Sequence, residues 1–338
     1  MHARVSYNGE LLKVGDPAIP LATPGTLLGR GVFTTIAIHD GAPFLWEQHW
    51  ERVVTHAERT GVDLTGIKQQ TVIGWLDQLV QANRLSEGRA RLSLMAHGSS
   101  GVWSRKGATA RKTDVLLMTA DARPVQEELA ITVSPYRVNT HSPLAGIKSL
   151  NYLEPILAWE EAQARDFAEA VRLNERGSVV SCTMANIFWA ADGTIYTPSL
   201  STGALAGTTR EVVIEQAREL AIPLVEGVYE LSALADADEI FITSAGRGVA
   251  FAVSRWRRHA SGQGPGTAFA GGLHARGRAL RCGPPSGQGG LRVDLRGLPS
   301  GPGSAGAAPR FPGDDAAGRD LEGAERGRDA AAGRGTHA

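Results

Sequence analysis

The stretch Leu144-Ala-Gly-Ile-Lys-Ser-Leu-Asn-Tyr-Leu153 places a single lysine among small and apolar residues. Lys148 has no acidic residue four positions further on, so it lacks the partner of an exposed helical ion pair. A lysine removed from water has a lowered pKa, and its neutral amine is a nucleophile that can form a Schiff base. The stretch predicts either such an amine or a lysine at a strand edge whose ammonium group reaches solvent.

Lysine is scarce in this chain, which narrows the choice of a reactive amine. Lysines and arginines number 35 together, and the lysines are only Lys13, Lys68, Lys106, Lys112 and Lys148. Chemistry that needs a primary amine therefore has few candidates.

A second segment, Leu205-Ala-Gly-Thr-Thr-Arg210, precedes an amphipathic pattern that predicts a helix ending near Leu220. Gly207 permits a close approach of the backbone, and Thr208 and Thr209 offer hydroxyl and N–H groups at the start of the helix. This combination is suited to binding a phosphate. The alternative is that a threonine only caps the helix.

A third segment runs from Asn174 to Trp189 and begins with the turn signal Asn174-Glu-Arg-Gly177. Small polar residues follow, and Asn186 then enters a strand. Polar residues within a strand pattern indicate the lining of a cavity, and the alternative is an edge strand.

The wider pattern predicts an α+β fold made of two subdomains with a cleft between them. Residues 1–120 form the smaller one, residues 121–127 a polar linker and residues 128–255 the larger one. Strands are predicted where β-branched residues are frequent and helices where the apolar period is 3.6. The predicted strands are 31–38, 90–95, 115–119, 129–133, 170–173, 185–190, 195–197 and 239–243, and the predicted helices are 44–59, 71–85, 155–167 and 208–220.

Residues 256–338 differ sharply in composition from the rest of the chain. They hold 20 of the 41 glycines and a single valine, with no isoleucine, tyrosine, lysine or methionine. Such a segment cannot bury enough apolar area to offset its chain entropy, so we expect a disordered tail. The same composition is typical of a GC-rich gene translated out of frame, and a frameshift is the alternative.

Composition also excludes several classes of protein. The formal net charge of the 338 residues is zero, which argues against a nucleic-acid-binding domain. A membrane-spanning run of 18 apolar residues and a signal-peptide pattern are both absent from the sequence. The histidines, acids and two cysteines show no metal-ligand spacing, and the low cysteine content fits a reducing compartment, so we expect a cytoplasmic protein.

The order of these motifs resembles that of the class IV pyridoxal-phosphate-dependent aminotransferases. This family includes branched-chain aminotransferases, D-amino-acid transaminases and 4-amino-4-deoxychorismate lyase. The matching segments are Gly29-Arg-Gly-Val-Phe-Thr-Thr35, Phe44-Leu45, His49-x-x-Arg52, Gly146-Ile-Lys-Ser-Leu-Asn151, Ala185-Asn-Ile-Phe188, Thr197-Pro198, Gly207-Thr-Thr-Arg210 and Asp238-Glu-Ile-Phe241.

The resemblance implies a fold-type IV enzyme with a small N-terminal α/β sandwich and a larger, β-barrel-like C-terminal domain. It also implies a homodimer, pyridoxal 5'-phosphate as cofactor and a small amino-acid or chorismate-derived substrate. Lys148 would hold the cofactor as a Schiff base and carry a proton. The implied phosphate contacts are Arg59, Thr208, Thr209 and Ser244, and the implied substrate-lining residues are Phe33 and Thr35.

Ser181 departs from the family pattern, which usually has a glutamate there that pairs with the pyridine nitrogen. A carboxylate keeps the ring protonated and strengthens it as an electron sink, whereas a serine can only form a hydrogen bond. The reaction implied is transamination or elimination, with Cys182 and the Ala-Asn-x-Phe-Trp ending at Trp189 leaning toward the lyase branch. The alternative is a catalytically impaired cofactor-binding or dimerisation protein, because of Ser181 and the unmatched C-terminus.

Overall fold

One antiparallel sheet of six strands occupies the N-terminal half of the chain. The computed structural model describes residues 1–16, 20, 22–97, 113–123 and 129–252. The strand order is β2-β1-β6-β5-β3-β4, and every neighbouring pair is antiparallel. The elements are β1 (Arg4–Tyr7), β2 (Glu10–Lys13), α1 (Pro24–Leu28), β3 (Gly31–His39), β4 (Ala42–Pro43), α2 (Trp46–Thr60), α3 (Gln69–Ala82), β5 (Gly88–Ala96) and β6 (Thr113–Asp121).

Side-chain alternation along β3 gives this sheet two different faces. Val32, Ile36 and Ile38 are fully buried and belong to the same apolar core as residues of α2 and α3. Because successive side chains of a strand point to opposite faces, Phe33 and Thr35 face away from these helices. This second face, which carries Phe33 and Thr35, lines the candidate active site.

The C-terminal half contains two further sheets. One has the order β7-β8-β9 and the other β12-β11-β10-β13-β14. Residues of these two sheets form a second apolar core, which includes Val171, Ile187 and Ile242. The elements are β7 (Ile131–Val133), α4 (Leu153–Gln163), β8 (Glu169–Leu173), β9 (Val179–Cys182), β10 (Asn186–Ala191), β11 (Thr194–Pro198), α5 (Thr208–Glu219), β12 (Leu224–Gly227), β13 (Glu239–Ser244) and β14 (Gly248–Ala252).

All four predicted helices and all eight predicted strands are present, with ends that differ by a few residues. The structure adds elements that were not predicted, among them β9, whose sequence Val-Val-Ser-Cys is only four residues long. The predicted linker, residues 121–127, lies partly outside the described residues. The predicted tail, residues 256–338, lies wholly outside them. These two assignments stay predictions.

Candidate active site

A cavity of about 670 Å³ opens between the second face of the six-stranded sheet and the C-terminal half. Seven of the eight residues predicted for the site line this cavity, and Arg59 does not. Those that do are Phe33, Thr35, Lys148, Ser181, Thr208, Thr209 and Ser244.

Lys148 lies in an extended segment that is anchored to strand β3. Its carbonyl oxygen accepts a hydrogen bond from the Phe33 N–H at 2.9 Å. Its own N–H donates to His56 Nδ1 of α2 at 3.1 Å. The Nζ atom lies 3.5 Å from the Tyr152 hydroxyl and 4.6 Å from the centre of the Phe33 ring. The backbone of Lys148 is therefore held on both sides, and its amine lies near the rings of Phe33 and Tyr152.

Burial and positive neighbours favour the neutral form of this amine. The pKa of Lys148 is lowered to about 7, mainly by removal from water and further by the charges of Arg52 and Arg91. Burial raises the pKa of the neighbouring Tyr152, so its phenol keeps its proton at neutral pH. A large fraction of Lys148 is thus a free-base nucleophile at pH 7.

This pKa predicts how the reactivity of Lys148 depends on pH in cofactor-free protein. Protonation removes the nucleophile, so reactivity should be low below pH 7 and rise to a plateau above it. We expect half-maximal labelling by trinitrobenzenesulfonate near pH 7, measured on the Lys148 peptide by mass spectrometry. N-acetyl-lysine, with an ordinary pKa of about 10.4, is the control. A labelling midpoint for Lys148 close to that of the control would contradict the prediction.

The N-terminus of α5 forms another part of the cavity lining. The first N–H groups of a helix have no partner within it, and here they belong to Thr208, Thr209 and Arg210. The preceding Gly207 is packed so closely that a Cβ atom there would lie 2.1 Å from the Asn186 side-chain oxygen. Asn186 is held in turn, because its amide nitrogen donates to the Leu205 carbonyl at 2.8 Å. The glycine thus lets strand β10 support the start of the helix.

A buried polar network connects this helix start to α2 and β3. The Thr34 hydroxyl lies 2.6 Å from His49 Nδ1 and accepts a hydrogen bond of 2.7 Å from Arg52 Nη2. His49 Nε2 lies 3.4 Å from the Thr208 hydroxyl. Burial and the charges of Arg52 and Lys148 lower the pKa of His49 to about 3, so this imidazole is neutral at pH 7. The network positions a cation, Arg52, next to the start of α5.

The arginine of α2 that lines the cavity is Arg52, whereas the sequence had pointed to Arg59. Arg59 is exposed near the end of α2, and its guanidinium reaches the Ala145 carbonyl at 3.5 Å. Arg52, two turns earlier on the helix, lines the cavity, and its Nη1 donates to the Ala206 carbonyl at 3.2 Å. Of the two arginines, the structure brings Arg52 beside Thr208 and Thr209.

Several further side chains of the cavity were not predicted from the sequence. Arg91 lies opposite Thr35 in the pairing of β3 with β5, and its guanidinium stacks 3.7 Å from the centre of the Phe33 ring. Tyr152 also lines the cavity, and His56 accepts a hydrogen bond from the Lys148 N–H without lining the cavity. Arg91 lies in a predicted strand, whose alternating pattern could have indicated that its side chain shares a face with Thr35. Tyr152 lies within the segment 144–153 around Lys148, so its closeness in sequence was a second signal.

The site has the chemical features that a phosphate-bearing aromatic aldehyde requires. It offers a primary amine with a low pKa, a helix N-terminus and the partly buried Arg52 for a phosphate, and aromatic surface from Phe33 and Tyr152. Five polar atoms of residues that line the cavity, among them Arg52 Nε and Thr243 Oγ1, are buried without a hydrogen-bond partner. The residues therefore fit pyridoxal 5'-phosphate.

Two features are absent from the described residues. Among them there is no helix with the length and apolar character needed to cross a membrane. The same residues contain no group of three or more histidines, cysteines and acids close enough to hold a metal ion.

Comparison with known proteins gives a consistent family. The profile of the family described as amino-transferase class IV matches residues 31–254. An aminodeoxychorismate lyase from Bacillus subtilis is 33% identical over 247 residues, which cover 71% of this chain and 82% of the relative. A D-alanine aminotransferase from Listeria innocua is 28% identical over 248 residues, covering 71% and 83%.

Solved structures show the same fold. A branched-chain aminotransferase from Thermoproteus uzoniensis with norvaline has a TM-score of 0.68 at 27% identity, covering 77% of this chain and 91% of that one. The pyridoxal-phosphate form of a branched-chain aminotransferase from Thermobaculum terrenum has a TM-score of 0.65 at 22% identity, covering 74% and 85%. The predicted fold-type IV architecture is confirmed.

The predictions of an enzyme and of pyridoxal 5'-phosphate as its cofactor are confirmed at the level of the family. The profile covers two thirds of the chain and includes every residue predicted for the site. This chain belongs to the class IV aminotransferase family.

Proposed function

We propose that this chain is a pyridoxal-phosphate-dependent lyase that eliminates pyruvate from aminodeoxychorismate, with Lys148 as the amine that holds the cofactor. The observation that carries the proposal is the position of Lys148: its low-pKa amine shares one cavity with the α5 N-terminus and Arg52. When bound, pyridoxal phosphate supplies an aldehyde that condenses with primary amines and a ring that accepts electrons.

Different residues of the cavity lining are suited to phosphate binding and to proton transfer. The backbone N–H groups of Thr208 and Thr209 bind the phosphate together with the Arg52 guanidinium. Lys148 Nζ is available to accept a proton from the substrate and return it to another atom. The neutral Tyr152 phenol, 3.5 Å from that nitrogen, helps to hold the amine in place.

The second face of the six-stranded sheet is suited to an anionic substrate. Phe33 and Thr35 line the cavity there, and Arg89 and Arg91 project from the neighbouring strand β5. Guanidinium groups bind carboxylates through paired, charge-assisted hydrogen bonds. Aminodeoxychorismate carries two carboxylates, so this face fits it better than it fits a branched-chain amino acid.

The assay that tests the proposal separates elimination from transamination. We expect purified holoenzyme to release pyruvate from aminodeoxychorismate when no keto acid has been added, because elimination needs no amino acceptor. The second candidate, transamination, is favoured by the similarity to the Listeria enzyme, and it requires 2-oxoglutarate with D-alanine or a branched-chain amino acid. Turnover only in the presence of 2-oxoglutarate would replace the lyase by the transaminase.

The impaired alternative predicts a different result. A cofactor-binding protein without activity would bind pyridoxal phosphate and turn over none of these substrates. The lowered pKa of Lys148 suits cofactor binding and catalysis alike, so turnover is the measurement that separates the two.

The homodimer and the cytoplasmic location remain predictions. Supporting a subunit contact, Leu153 and Leu157 of α4 are 66% and 46% exposed although both are large and apolar. Leu27 and Leu28 at the end of α1 are exposed to a similar extent. Apolar side chains grouped at a surface often mark an interface.

A further inference from the structure

A buried arginine faces the cavity directly beside Ser181. Arg172 on β8 is the register partner of Ser181 on β9 in an antiparallel pair. Residues paired in this way carry their Cβ atoms on the same face of the sheet. Both line the cavity, and Arg172 is only 5% exposed. The strand pairing thus places the Arg172 side chain next to Ser181 on the cavity side of the sheet.

The guanidinium of Arg172 is held from one side and lacks a partner on the other. Its Nη2 forms an ion pair with Glu154 at the start of α4. Its Nε is buried and has no hydrogen-bond partner. A buried donor without a partner is unusual in a folded protein, and in a binding cavity it indicates that a ligand supplies the acceptor.

The carboxylates of this region are already engaged. Glu154 pairs with Arg172 as described. Glu169, three residues earlier on β8, accepts hydrogen bonds from the Thr183 hydroxyl and the Met184 N–H, and it lies 3.8 Å from an Arg247 nitrogen. The pKa of Tyr152 is influenced by Arg172, so the guanidinium lies within electrostatic reach of the phenol beside Lys148.

We propose that Arg172, together with the Ser181 hydroxyl, binds the pyridine nitrogen of the cofactor and keeps that nitrogen unprotonated. The inference rests on the proposed function, since it requires pyridoxal phosphate held by Lys148. A guanidinium can only donate, so the ring nitrogen must present its lone pair as the acceptor. If that nitrogen carried a proton, its positive charge and its N–H donor would face the positive charge and the N–H donors of the Arg172 guanidinium.

This arrangement makes the ring a weaker electron sink than one paired with a carboxylate. Ser181→Glu alone would not reverse it, because the new carboxylate would pair with Arg172 across the strand. Restoring a protonated ring requires Ser181→Glu together with Arg172→Ala. The two substitutions should therefore be strongly non-additive.

The test uses full-length holoenzyme reconstituted with pyridoxal phosphate that carries ¹⁵N in the ring. We expect its nitrogen resonance in the range of unprotonated pyridine for the native protein and for Ser181→Ala. In the double variant Arg172→Ala with Ser181→Glu, we expect it in the pyridinium range. A pyridinium resonance in the native protein would overturn the proposal, and so would an unprotonated resonance in the double variant.

Further variants keep this outcome separate from the proposed function and from misfolding. If Lys148→Ala leaves the visible spectrum of the bound cofactor unchanged, the proposed function itself fails. Arg172→Lys keeps a buried charge and should retain the unprotonated resonance, and circular dichroism of each variant reports its fold. If Arg172→Gln raises the KM for substrate and leaves the affinity for pyridoxal phosphate unchanged, Arg172 binds a substrate carboxylate and the proposal is wrong.

Discussion

Replacing Lys148 with alanine is expected to abolish the visible absorbance band of protein reconstituted with pyridoxal phosphate. It should also lower turnover by at least about a thousandfold, within the range that general acid–base catalysis by one side chain contributes. The reason is that Lys148 supplies both the amine for the cofactor and the base for proton transfer. Lys148 is the only lysine among the described residues that line the cavity.

The control for this change is Lys68→Ala. Lys68 is exposed just before α3 and lies outside the cavity lining. This variant should keep the band and the turnover of the native protein. A Lys148→Ala protein that still shows the band, with an unchanged circular dichroism spectrum, would contradict the assignment of Lys148. A partial return of turnover on adding ethylamine would support its role as a base.

The part of the site that the sequence could predict consists of groups defined by a local motif. Lys148 stands alone in an apolar stretch, and Thr208 and Thr209 follow a glycine at the start of a helix. Each of these signals is contained within about ten residues, and each is produced by local backbone geometry. That both segments face one cavity is a property of the fold, and the family resemblance supplied it.

The part that could not be predicted depends on contacts between distant segments. Arg52 and Arg59 lie two turns apart on one helix, and only the packing of α2 against the β3 side decides which one enters the cavity. Arg172 is significant because of its register with Ser181, and the short strand β9 was not predicted. A segment of only four residues shows too little alternation to predict β9 as a strand, so its pairing with β8 could not be predicted either.

Replacing Arg52 with glutamine is expected to weaken the binding of pyridoxal phosphate by roughly ten- to hundredfold in Kd. Charge-assisted hydrogen bonds contribute about 1.5–3 kcal/mol each, which corresponds to this range. Burial lowers the pKa of Arg52 only to about 10, so the side chain is still a cation at neutral pH. The measurement is a titration of cofactor-free protein that follows the quenching of tryptophan fluorescence.

Arg59→Ala is the matched control, because Arg59 lies on the same helix and outside the cavity. Its Kd should stay within about twofold of the native value, since the substitution of an exposed side chain removes little free energy.

Pyridoxal, which has no phosphate, separates a loss of phosphate binding from general damage to the site. Arg52→Gln should bind pyridoxal nearly as well as the native protein does. If it loses affinity equally for both compounds, the network of Thr34, His49 and Arg52 supports the fold of the site and does not bind the phosphate. If Arg59→Ala weakens pyridoxal phosphate as much as Arg52→Gln does, the phosphate contact returns to Arg59 and α2 must move when the cofactor binds.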